Sequence, residues 1–201
     1  MKRWISVFIF VSLIAFIAIP SANAHNIRPS NAFRWEYAAY NATYGHKVIR
    51  LQANGDNLVA NWNNQLTAAR ANWNMNSDNY VNAVNWDFSS STVDLATRTT
   101  WPVEWGTNNV AITLLFNNGT DITGSSAAMN TVDYAQIWTN PAYNTNLTNY
   151  MYRLILVHEM GHVMGLGHPP EGTVSVMTQS QTSWEFPQAH DRTDLTWYYS
   201  N

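Results

Sequence analysis

Between Val59 and Trp73 the apolar residues fall at Val59, Trp62, Leu66, Ala69 and Trp73. Steps of three and four predict one face of an α-helix, with Asp56 just ahead of it as a candidate N-cap. A second periodic stretch starts at Thr148 or Asn149 and runs through Gly165. Met151, Ile155, His158 and His162 share one stripe of that helix, and Leu156, Met160 and Val163 share another. A helix apolar on most of its sides is expected to be buried. Residues 191–199 (DRTDLTWYY) predict a C-terminal helix capped by Asp191 or Thr193. Short runs bounded by turn residues predict strands over 33–40, 48–52, 81–88, 110–116 and 131–138. Asn117-Asn118-Gly119 and Asn140-Pro141 supply the turn chemistry after two of them. Strands mixed with helices, without strict alternation, predict a single α+β (mixed α/β) domain.

The N-terminus changes the picture of where that domain begins. Lys2 and Arg3 precede residues 5–19, which carry no charge, and Ala22-Asn23-Ala24 follows Pro20. This is the three-part pattern of a secretory signal, with cleavage expected after Ala24. A transmembrane anchor is the alternative, but the apolar stretch falls short of the roughly 20 residues that cross a bilayer. Residues 1–24 therefore read as a signal peptide and 25–201 as the functional domain, exported and free of the membrane after cleavage. A net charge of −3 argues against a nucleic-acid partner. The chain has no cysteine, so neither disulfides nor thiolate ligands are available, and a metal would have to be held by histidine and carboxylate. Abundant asparagine with few charges suggests a bacterial, extracellular protein.

Three of the six histidines lie in one stretch, HEMGHVMGLGH at 158–168. Residues i and i+4 of a helix lie about 40° apart round the axis and about 6 Å along it, so His158 and His162 can point at one ion. Glu159 sits about 100° round from His158, beside the metal without ligating it, where it can take a proton from an attacking water. Gly165 breaks the helix and permits a turn with positive φ, which lets His168 return as third ligand, whereas Gly161 stays within the helix. Three histidines leave one position open, as a catalytic zinc requires and a closed structural zinc does not. A single histidine on an apolar face is ordinarily a satisfied core residue. This whole pattern would arise by chance in on the order of one chain in 10⁵, which favours the metal site.

The spacing H-E-x-x-H-x-x-G-x-x-H resembles the signature of the metzincin zinc peptidases. Ser175-Val176-Met177 is similar to the methionine turn of that clan, and its short distance from His168 looks most like the matrixins. Residues 133–139 (DYAQIWT) resemble the matrixin strand before the active-site helix, and Asp194-Leu195 followed by Tyr198 or Tyr199 resembles that family's terminal helix. The resemblance implies one catalytic domain with a twisted, mostly parallel sheet, an antiparallel edge strand, a long active-site helix and a C-terminal helix. It implies a secreted, monomeric zinc endopeptidase with His158, His162 and His168 on one zinc, Glu159 as general base and Met177 beneath the metal. A protein or peptide substrate would lie extended along an edge strand, for which residues 122–129 are the candidate. Trp184 and Phe186, in the loop 178–187, would wall a substrate pocket, unless they simply pack in the core under the methionine turn.

Several departures limit the likeness. Thr178 stands where matrixins usually carry tyrosine. No histidine lies between His46 and His158, so a second zinc is not expected. Without cysteine there is no cysteine switch, so control would fall to another protein or a short propeptide. Calcium is common in the family, but the acids here are scattered and give no assignable site. Two other classes stay open: a non-catalytic secreted zinc-binding or adhesion protein on a peptidase scaffold, for which Glu159 would have no use, and a zinc hydrolase of non-peptide bonds.

Overall fold

Burial alternates along the strand Tyr134–Thr139, with Ala135, Ile137 and Thr139 buried and Tyr134, Gln136 and Trp138 half-buried. One face of the sheet therefore meets the helices while the other carries a polar and aromatic row. A computed structural model of the chain describes residues 34–35, 39–41, 46–53, 59–74, 79–83, 92–123, 131–179 and 183–200. In chain order the strands are β1 (Arg34–Trp35), β2 (Ala39–Asn41), β3 (His46–Ala53), β4 (Asn79–Ala83), β5 (Val93–Thr97), β6 (Ala111–Asn117), β7 (Thr120–Asp121), β8 (Thr131–Val132) and β9 (Tyr134–Thr139). The helices are α1 (Ala60–Asn74), α2 (Asn149–Val163) and α3 (Ala189–Ser200). The body of the sheet has the order β3-β5-β9-β6. β3, β5 and β9 run parallel, and β6 lies antiparallel on β9, pairing Ala111 with Thr139 and Phe116 with Tyr134. The molecule is thus a mixed α+β fold. Among the described residues no helix is long and apolar enough to cross a membrane.

The predicted helix faces are the buried ones. Trp62, Leu66, Ala69 and Trp73 of α1 are buried against α2, where Trp62 meets Tyr152 edge-on at 4.6 Å between ring centres. Trp73 Nε1 donates to the Val157 carbonyl at 2.9 Å, so the large ring loses no hydrogen bond on entering the core. α2 is buried continuously from Leu154 to Val163, as expected of a helix apolar on most sides. Thr148 is its N-cap, accepting from the Met151 amide at 3.2 Å. The Asp56 cap lies outside the described residues, as do residues 1–33 with the signal segment.

Strand boundaries moved where local geometry intervened. The expected strand 131–138 divides at Asp133 into β8 and β9. The expected strand 33–40 is represented by β1 and β2, and of 81–88 only the part within β4 is described. The antiparallel neighbour of β9 is β6; of the candidate edge strand 122–129 only residues 122 and 123 are described. Asn118 and Gly119, with φ of 49° and 75°, reverse the chain straight after β6, the backbone of a type I′ hairpin turn. Thr123 then ends the returning β7: its amide donates to Asp121 Oδ1 at 2.9 Å, and its hydroxyl accepts from the Leu115 amide at 2.8 Å. Residues 124–129 lie outside the described residues.

Candidate metal centre

α2 sets His158 and His162 one turn apart, both buried. The helix ends in a Schellman motif: Gly165 takes φ 92°, its amide donates to His162 O at 2.9 Å, and the Leu166 amide donates to Gly161 O at 3.0 Å. The turn expected at Gly165 is present, with the last helical residue two positions earlier because Gly165 itself occupies the left-handed position. Reversal of the chain there does two things. It brings the Leu166 carbonyl to His162 Nδ1 at 2.8 Å, and it brings His168 Nε2 to 3.1 Å from His158 Nε2.

His162 Nε2 is 3.0 Å from His158 Nε2, and the ligand atoms of the three residues all lie within 4.8 Å of one another. The Nδ1 atoms of His158 and His162 face the carbonyls of Val176, at 2.9 Å, and Leu166. Each Nδ1 must therefore carry the proton, which leaves the Nε2 lone pairs turned toward a common point. Lone pairs so close repel one another unless a cation lies among them. A tetrahedral ion with 2.0–2.1 Å bonds sets its ligand atoms about 3.3–3.4 Å apart, close to the two spacings from His158. Burial, with the neighbouring imidazoles, pushes His158 down to about 3 and His162 well below its ordinary value, and burial alone takes His168 to about 4. All three are neutral at physiological pH, as ligands must be. The buried cluster of His158, His162 and His168 can hold a metal ion.

Glu159, next in α2 after His158, is wholly buried. Thr113 Oγ1 donates to Glu159 Oε2 at 2.7 Å, while Oε1 is buried without a hydrogen-bond partner. Burial pushes the carboxyl up to about 7, against the opposing effect of the Thr113 hydrogen bond. Below the cluster lies Met177, buried, with its sulfur against α2. A Cβ added at Gly161 would stand 2.2 Å from Met177 Sδ and 3.2 Å from Trp73 Cζ2. Gly161 is therefore a close-approach glycine and not a neutral helical position.

Asp191 has a larger role than capping, and the sequence reading missed it. α3 begins at Ala189, so Asp191 sits in the third helical position and accepts from the Gln188 amide at 2.7 Å. The same buried carboxylate accepts from the Ser175 hydroxyl and, at 3.0 Å, from the Val176 amide. Ser175 Oγ in turn accepts from the Met177 amide at 2.8 Å. Asp191 thus fixes the turn whose Val176 carbonyl orients His158 and whose next residue, Met177, packs against α2. Thr193, the other proposed cap, bonds back to Ala189 O within the helix. Groups that orient a metal ligand are commonly worth 10–100-fold in affinity. Asp191→Ala is accordingly expected to weaken zinc binding by about 10–100-fold in a chelator-competition titration, and parental affinity would contradict the role.

Trp184 and Phe186 are 45% and 46% exposed, so they do not pack in the core under the methionine turn. Glu185 between them is held inward by a two-pronged pair with Arg153, at 2.7 and 2.9 Å, while Asn72 Nδ2 donates to its carbonyl at 2.7 Å. Arg153 lies half a turn round α2 from His162, so the segment is anchored on the flank of α2 opposite that ligand.

Acid should loosen the metal-free protein. The three histidines have folded pKa values below the ordinary 6.5, so the unfolded chain takes up protons first and stability falls as pH drops from about 6.5 toward 3–4. Glu159 acts in the opposite sense: raised from 4.5 to about 7, it favours the fold while protonated and loses that contribution as pH rises through this window. Three groups outweigh one below pH 6. The melting temperature of the metal-free protein should fall between pH 6.5 and 4, and a constant or rising value would show that the histidines are not buried neutral.

No protein-family model matches the chain, and no curated protein matches it. What the protein does must therefore be read from the site.

Proposed function

We propose that the chain is a secreted zinc-dependent endopeptidase of the metzincin clan, similar to the matrixins. The observation that carries this is the convergence of three Nε2 atoms, with a buried carboxylate that has one free oxygen following the first of these histidines in α2. A purely structural metal would be closed by a fourth ligand and would gain nothing from Glu159. The donor set suits zinc, which accepts neutral imidazoles in a tetrahedral arrangement.

His158, His162 and His168 would hold the zinc, which when bound supplies a Lewis acid that polarises the scissile carbonyl and acidifies the attacking water. Glu159 takes the proton from that water and gives it to the departing amine. A carboxylate held by one oxygen and free at the other can do both halves of that task. Asp191 and Gly165 hold the ligands in place. The substrate would pair backbone to backbone along β6: among the described residues no strand covers its outer edge at 111–114. Exposed Trp184 and Phe186 would meet the substrate only if it extends beyond the cleft, round α2. Calcium finds no cluster of acids among the described residues to hold it. Digestion of casein by the zinc-loaded protein, stopped by a chelator, tests the reading. Intact casein with zinc bound would leave a secreted zinc-binding or adhesion protein.

A further inference from the structure

β6 carries one polar side chain where the core calls for an apolar one. Ala111, Thr113 and Leu115 share the face turned toward α2, and all three are fully buried. A buried hydroxyl costs free energy unless it is hydrogen-bonded. Among the described residues the Thr113 hydroxyl bonds to Glu159 alone: Oε2 at 2.7 Å, with the Glu159 main-chain oxygen at 3.1 Å. That carbonyl is already an acceptor in the ladder of α2, and the carboxylate oxygen is the nearer and stronger acceptor. The single hydroxyl proton therefore belongs to Oε2.

We infer that Thr113 is a positioning residue that sorts the two oxygens of Glu159, tying Oε2 to the edge strand and leaving Oε1 as the one oxygen without a partner, the acceptor for a water. A carboxylate on a three-bond side chain turns freely about its last bond, and either oxygen can serve as base. Anchoring one of them fixes the line along which the other meets a water. Because Thr113 stands on β6, it also ties the base to the strand proposed to bind the substrate, so base and scissile bond share one frame. The kinetic consequence rests on the peptidase reading, while the structural consequence does not.

Two variants of the mature protein test it. Thr113→Val keeps the shape and removes the hydroxyl, and Thr113→Ser keeps the hydroxyl and removes a methyl group. Crystal structures of the protein as purified should show the Glu159 carboxylate turned from its parental position in Thr113→Val and held in Thr113→Ser. On a peptide substrate, zinc-loaded Thr113→Val should lose about 10²-fold in kcat and in kcat/KM together with KM unchanged. Thr113→Ser should recover most of that loss, which a role in packing alone would not produce. An unmoved Glu159 in Thr113→Val, or a parental kcat in that variant, overturns the inference. If the parent itself cleaves nothing, the peptidase reading fails on its own, and the position of Glu159 in the two crystals still decides the role of Thr113.

Discussion

Zinc-loaded Glu159→Gln is expected to retain its metal and lose about 10²–10⁴-fold in kcat, the usual worth of a positioned general base. The amide has nearly the shape of the carboxylate, and its carbonyl oxygen can still accept from Thr113, which holds Oε2 at 2.7 Å in the parent. What the variant lacks is a group that can take a proton at the free oxygen. The three imidazoles are untouched, so zinc content should remain at the parental level. The amide nitrogen would take the place of Oε1, which is buried without a partner, so a modest fall in melting temperature is expected while the metal stays bound. Turnover and zinc content therefore move apart in this variant. Near-parental hydrolysis by a zinc-loaded Glu159→Gln would take Glu159 out of the mechanism.

Gly165→Val is expected to cost about 10²-fold or more in zinc affinity, with activity falling in parallel. Gly165 sits at φ 92°, a region that a β-branched residue rarely enters. Relaxing toward negative φ would break both turn bonds, from Gly165 N to His162 O and from Leu166 N to Gly161 O. The Leu166 carbonyl that orients His162 would move, and His168 would be carried from the cluster. One substitution thus disturbs two of three ligands. Gly161→Ala makes the informative contrast. Its added carbon would meet Met177 Sδ at 2.2 Å, so it should destabilise the fold by overpacking, about 1–3 kcal/mol, while the turn and its ligands stay in place. Zinc dissociation measured for both variants separates the two effects. Parental zinc affinity in Gly165→Val would mean that His168 does not depend on this turn.

The parts of the site that were legible in the sequence are the local ones. His158, Glu159 and His162 lie within a helical turn, and Gly165 and His168 follow at once, so spacing alone carried their geometry. Helices α1 and α2 were legible because their buried faces repeat with the period of the helix. β5 was not: VDLAT is five residues long, buried on both faces, and holds Asp94, so it shows no alternation. The reason for Asp94 appears only across the sheet, where the Tyr134 hydroxyl donates to it. Thr113 and Asp191 were missed for the same reason. Thr113 is 46 residues from Glu159, and Asp191 is 15 from Val176, and no periodicity links such partners. An isolated threonine in the apolar run of β6 was the one available signal. The close approach at Gly161 was not legible, because a place within a helix says nothing of a side chain pressing from another segment.

The most direct test of the central claim is the rate of casein hydrolysis as zinc is returned stepwise to the metal-free protein. New α-amino groups should appear at a rate that rises with each addition and levels off at one zinc per chain. Hydrolysis that persists without metal, or its absence at one bound zinc per chain, would contradict the account.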